Sequence, residues 1–174
     1  MTTDINIRPA NSLDLPRLTE IYNYYIISTP VTFDIEPCLP ENRAAWFSQF
    51  STTGRHRLVV AEENGVIVGY TGTTKFRPKA AYDTTVETTI YCAPGSEGKG
   101  IGGRLYAALF EAMAQEDVQR IVAGYTLPNP ASAALHKRFG FERVGIFGEV
   151  GRKFGRYWDV AWSERPLHLP GPSR

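Results

Sequence analysis

Residues 94–110 read PGSEGKGIGGRLYAALF, a polar turn with glycines at 98, 100 and 103 that runs straight into an amphipathic segment. Glycine takes up the left-handed backbone a tight turn needs, and the apolar spacing after Ile101 predicts a helix. Such a turn aims backbone N–H groups and the positive end of a helix dipole at whatever binds in front of it, which favours a phosphate-bearing ligand. The spacing G-x-G-x-x-G also fits a dinucleotide site. That fingerprint, however, should follow an N-terminal buried strand and be answered about 20 residues later by an acid. Here the preceding strand, TTVETTIYC at 84–92, contains Glu87, and the next, IVAGYT at 121–126, ends without an acid. No G-x-x-x-x-G-K-[ST] loop can be written either.

The elements on both sides of the turn give the fold class. Upstream, Ile5 and Ile7 alternate with polar neighbours, and Asn11 or Ser12 precedes an amphipathic helix through Ile26 with Pro16 in its first turns. Pro40 predicts the start of a second helix over ENRAAWFSQF. RLVVAEE and VIVGYTGTTKF flank Asn64-Gly65, the strongest short hairpin signal. Downstream of the glycine helix, expected over 100–117, come IVAGYT, an LPNP turn, a helix ASAALHKRF closed by Gly140, and the strands FERVGIF and YWDVAWS. The order is β-α-α-β-β-β-α-β-α-β-β, an α/β chain with a mixed sheet flanked by helices.

A chain of 174 residues is one domain with a core of its own, expected over 1–166, with a frayed Pro/Gly tail at 167–174. Nineteen Lys and Arg against 18 Asp and Glu leave no field to draw nucleic acid or anionic lipid. No apolar run approaches the roughly 20 residues a bilayer requires, and MTTDINIRPA lacks the pattern of a secretory leader, so a cytoplasmic protein is expected. Cys38 and Cys92 form neither a C-x-x-C pair nor a metal-ligand spacing; no metal is expected, and both thiols are expected to be reduced.

Strand, glycine turn, long helix, strand, Asn-containing turn and a helix ending K-R-F-G-F together resemble the GNAT superfamily of acyl-CoA-dependent N-acetyltransferases. Its signature Q/R-x-x-G-x-G/A falls on Glu97 to Gly102, departing only at Glu97. IYNYYIISTPVTFDIEP, FRPKAAYDTTVETTIYCAP, LPNPASAALHKRFGF and VGRKFGRYWDV are similar to the phosphinothricin, methionine sulfone and methionine sulfoximine N-acetyltransferases, over residues 21 to 160 or so. That resemblance implies a mostly antiparallel sheet, acetyl-CoA as co-substrate, an amino-acid-like amine as acceptor and a homodimer. A GNAT acting on a protein N-terminus or a polyamine is the enzyme alternative, and a silent acyl-CoA-binding module is the non-enzyme one.

The same resemblance implies roles. The T-V-E acid, Glu87, is the general base, acting through water. A carboxylate inside a Thr/Val/Ile/Tyr strand needs a reason, and an ammonium of pKa about 8 or above is mostly protonated at pH 7. The thiolate leaving group, with a pKa of roughly 8.5, needs only a mild acid, for which Tyr91 and His136 are both candidates. Backbone N–H groups along Ile90, Tyr91 and Cys92, exposed by a bulge, would polarise the thioester carbonyl. Gly98, Lys99, Gly100, Ile101, Gly102, Gly103 and Arg104 would hold the diphosphate, with Asn129 and Ser132 on the pantetheine arm. Phe33, Phe76, Arg77, Lys79, Tyr82, Thr85 and Val86 join Glu87 as candidates for the acceptor site, the two cations meeting its carboxylate and side-chain oxygens.

Overall fold

A computed structural model describes residues 4–168. In chain order the major elements are β1 (Ile5–Pro9), α1 (Leu15–Ser28), α2 (Ala44–Phe47), β2 (Leu58–Glu63), β3 (Val66–Lys75), β4 (Thr85–Cys92), α3 (Ile101–Ala112), β5 (Arg120–Thr126), α4 (Pro130–Arg138), β6 (Glu142–Lys153) and β7 (Arg156–Pro166). The seven strands form one sheet in the order β1-β2-β3-β4-β5-β7-β6. Every pairing is antiparallel except β4 with β5. The expected element order and mixed sheet are therefore present.

Alternation along the strands sends side chains to two faces, each covered by helices. On one face Ile101, Leu105, Tyr106 and Leu109 of α3, with Met113 just past its end, are fully buried against Val59, Ala61, Val86 and Ile121. On the other face Leu18 and Ile21 of α1 pack on Leu58, Val60 and Tyr70, with Trp46 and Phe50 beside them. Asn64 and Gly65 take φ of 53° and 78°, closing the β2–β3 hairpin in the left-handed region that Asn and Gly tolerate. Gly140, at φ 78°, follows α4 as expected.

Three boundaries differ from expectation. Helix α3 ends at Ala112 rather than 117 because residues 116 and 117 are drawn into a neighbouring loop: Glu116 accepts from the Gly54 amide and pairs with Arg57, and Asp117 pairs with Arg55. The second helix is a 3-10 turn at Pro40–Arg43 followed by the four residues of α2. Arg43 is turned inward there, its guanidinium lying over the Tyr22 and Trp46 rings at 4.4 and 3.8 Å. At the C-terminus β7 runs through Pro166, and Leu167, where the tail was expected to begin, is buried in the α3-side core. The remaining tail, 169–174, lies outside the described residues.

Candidate active site

The parallel ladder between β4 and β5 joins only Thr85–Glu87 to Arg120–Val122. Past Glu87 a narrow cleft of about 40 Å³ passes between the two strands, bounded by Thr88 to Tyr91, by Gly124 and Tyr125, and by Asn129, Ser132 and His136 of α4. No bulge creates it. Residues 86–92 of β4 pair with 69–75 of β3 in unbroken register, so the expected bulge is absent, and the opening comes from two strands parting after a short parallel contact. The Ala93 amide donates to the Val68 carbonyl, so by alternation the odd-numbered amides face β3 and those of Ile90 and Cys92 face the cleft.

Directly paired residues share a face, which places Glu87, Val122 and Glu164 side by side. They stand on the α1 face, where a groove of about 490 Å³ lies between the 76–85 segment and the β6–β7 hairpin, lined in part by Phe76, Arg77, Thr85, Arg120, Val122 and Trp162. Burial raises the Glu87 carboxyl above the ordinary value, and the nearby Arg77 cation opposes that rise. The structure thus joins Glu87, Phe76, Arg77 and Thr85. Tyr82 packs edge-on against Phe76 with ring centroids 5.8 Å apart. Lys79 is exposed outside the groove lining, and Val86 faces the α3 core. Phe33 presses on Gly151 of the hairpin, while Val31, two residues earlier, reaches the cleft.

On the opposite face His136 is 5 % exposed and stacked at 5.1 Å on Tyr125. Its Nδ1 lies 2.6 Å from the Ser132 carbonyl, which can only accept, so Nδ1 carries the proton. In the neutral ring Nε2 is then an acceptor, and the Tyr106 hydroxyl, 3.0 Å away, donates to it. Burial lowers the His136 pKa, opposed by the Ser132 hydrogen bond, and keeps the ring neutral. Tyr91, the other acid candidate, is packed among Tyr22, Tyr25 and Tyr70, and burial holds its hydroxyl well above the usual tyrosine range. Burial and the nearby Glu97 push the Cys92 thiol up to about 11.

The glycine turn fits a diphosphate. Gly98 and Gly100 sit at φ of 76° and 72°, and no atom comes within 4 Å of where their Cβ atoms would stand, leaving an open cradle before α3. Gly102 packs on Leu135 of α4, its Cβ position 3.2 Å from that side chain. Two cations expected to help are engaged elsewhere: Lys99 is paired with Glu63 at 2.7 Å, and Arg104 reaches the Ile5 carbonyl at 3.5 Å. Arg138, which sequence reasoning missed, brings a guanidinium nitrogen to 3.2 Å from the Cβ position of Gly103. Its signal was the basic K-R pair ending α4, read only as a helix terminus. Among the described residues no group of three or more His, Cys, Asp and Glu could hold a metal ion.

An anion cradle at a helix N-terminus, a cleft through the sheet beside it and a half-buried carboxylate at the inner end of that cleft define an acyl-CoA-dependent transferase. The chain belongs to the acetyltransferase (GNAT) family, whose model matches residues 18–141. It is 54 % identical over 168 residues to a phosphinothricin N-acetyltransferase of Streptomyces coelicolor, covering 95 % of this chain and 98 % of that one. An L-methionine sulfoximine/L-methionine sulfone acetyltransferase of Pseudomonas aeruginosa is 35 % identical, with 93 % and 94 % covered. A crystal structure of a phosphinothricin acetyltransferase from Sinorhizobium meliloti in complex with acetyl-CoA superposes with a TM-score of 0.87 at 35 % identity, covering 96 % of this chain and 89 % of that one. The protein is an acetyl-CoA-dependent N-acetyltransferase.

Proposed function

We propose that the enzyme acetylates the α-amino group of a small amino acid or amino-acid analogue with a polar or anionic side group, of the kind named for its relatives: phosphinothricin, methionine sulfoximine or methionine sulfone. One observation carries this reading: Glu87 stands at the inner end of the cleft, on the face of the groove that holds Arg77. Arg77 supplies a cation for the substrate carboxylate, and Glu87 supplies a base for the amine.

Acetyl-CoA brings an activated thioester. The amides before and within the first turn of α3, with Arg138, hold its diphosphate, and Asn129 and Ser132 flank the cleft its arm would follow. Inward amides of Ile90 and Cys92 polarise the acyl carbonyl. Glu87, raised by burial, takes the ammonium proton through water. Tyr91 keeps its proton at neutral pH and lines the cleft, whereas both ring nitrogens of His136 are already bonded, so Tyr91 is the proton source for the departing thiolate.

The active form is a homodimer in the cytoplasm, with neither nucleic acid nor membrane as partner. Edge strand β6 exposes the apolar side chains of Val144, Ile146, Phe147 and Val150 along an open sheet edge that a second copy would cover. The near-neutral charge and the lack, among the described residues, of a helix long and apolar enough to cross a bilayer support the rest. A thiol-release assay tests the substrate class. Phosphinothricin, methionine sulfoximine and methionine sulfone are compared with spermidine and an N-terminal peptide, and turnover is expected with the first three. Turnover confined to the last two would overturn the reading.

A further inference from the structure

Trp162 of β7 is flanked across the sheet by two glycines, Gly124 on β5 and Gly145 on β6. Its indole chooses one side. A Cβ at Gly124 would stand 3.0 to 3.1 Å from three atoms of the six-membered ring, whereas one at Gly145 would meet nothing within 4 Å. The ring therefore leans across β5, towards the parting of β4 and β5. Phe76 braces it from the groove, edge to face, with centroids 6.2 Å apart.

The place it covers is defined by the ladder. Glu87 and Val122 are the last paired residues of β4 and β5, and Gly124 is two residues further along β5, so it shares the Glu87 face at the mouth of the split. Gly124 borders the cleft, and Trp162 borders the groove. The indole is thus a partition between the space that admits the thioester and the space that admits the amine. With no side chain on Gly124, the space over that residue on the Glu87 face ends at the indole ring.

We propose that Trp162, laid across Gly124, is the wall that ends the acyl pocket and restricts the donor to acetyl. This rests on the acetyltransfer reading above and adds the residue that sets donor length. Space at a pocket end is discriminating, since one methylene changes specificity by about 10- to 200-fold where a wall refuses it.

The test compares acetyl-, propionyl- and butyryl-CoA in the full-length enzyme and in Trp162→Ala and Trp162→Phe, the second keeping an aromatic ring should the first fold poorly. The butyryl-to-acetyl ratio of kcat/KM is expected to rise at least about tenfold in Trp162→Ala and by less in Trp162→Phe. Calorimetric binding of the same donors without amine gives a second readout, in which the ratio of dissociation constants should move the same way. Unchanged donor ratios in both readouts, or a change confined to the KM of the amine, would overturn the proposal. Absence of turnover by the unaltered enzyme with every amine would instead sink the acetyltransfer reading, and the binding ratios would still decide the wall.

Discussion

The Tyr106 hydroxyl donates to Nε2 of His136 across 3.0 Å, and the far side of the same imidazole donates to the Ser132 carbonyl. Both ring nitrogens are thus satisfied in the neutral form, inside a shell of Tyr125 and Phe141 rings. Folding excludes the proton that the unfolded histidine would bind, and the folded pKa lies below the ordinary 6.5. In the window between the folded value and 6.5 the unfolded state carries more protons, so stability falls as pH drops through that window and is fully present above it. Urea midpoints measured at pH 7.5 and 5.5 should show a larger acid loss in the unaltered protein than in His136→Gln, whose amide oxygen accepts from Tyr106 without titrating. Equal slopes would mean the ring does not titrate differently on folding.

Glu87 gives a kinetic counterpart. Its carboxylate must be ionised to accept a proton, and burial raises its pKa, so kcat/KM should fall on acidification at a pH above that of an ordinary carboxylate. Arg77 opposes the rise, and Arg77→Ala should therefore move the acid limb to still higher pH. Glu87→Gln should lower kcat by about 10²- to 10⁴-fold while leaving the dissociation constant of acetyl-CoA unchanged. Normal turnover in that variant would place the base elsewhere.

The parts of this site that could be read from the chain are those that depend on local chemistry. Gly98 and Gly100 announce a left-handed turn before a helix, and Glu87 stands out as an acid within a β-branched strand, because both are properties of a few adjacent residues. What escaped depends on pairing. That β4 and β5 stay joined for only three residue pairs is a fact of register, and so is the leaning of Trp162 onto Gly124 rather than Gly145. The partners of Lys99 and Arg138 were hidden for the same reason. Lys99 reads as a cation for the diphosphate and Arg138 as part of a helix terminus, but strand order sets the first beside Glu63 and helix packing brings the second to Gly103.

That exchange of partners predicts which cation matters. Arg138 stands at the N-terminus of α3, where an anion would also meet the helix dipole, while the Lys99 ammonium is already paired with Glu63. Arg138→Ala should weaken acetyl-CoA binding by about tenfold, corresponding to a charge-assisted contact of roughly 1.4 kcal/mol, and the loss should shrink at high salt. Lys99→Ala should change affinity by less than about twofold. Titration of both variants by calorimetry checks the order, and the reverse order would refute the assignment.

Gly151 and Phe33 tie the loop after α1 to the β6–β7 hairpin. A Cβ built on Gly151 would lie 2.1 Å from the Phe33 ring, far inside contact distance, so any larger residue must expel the ring. The same loop is held by Lys153, only 5 % exposed, whose ammonium donates to the Thr32 carbonyl at 2.8 Å. Because Val31 of this loop lines the cleft, a displaced ring should disturb the site as well as the fold. Gly151→Ala is expected to cost about 1–3 kcal/mol of stability by overpacking and to raise the KM of the amine. Phe33→Ala alone should be milder, since it leaves a half-exposed gap rather than a clash. Combined, the two changes should be less harmful than the sum of each, because removing the ring gives the new methyl group its room. A denaturation series over the four proteins measures that coupling, and strict additivity would show that Phe33 does not rest on Gly151 in solution.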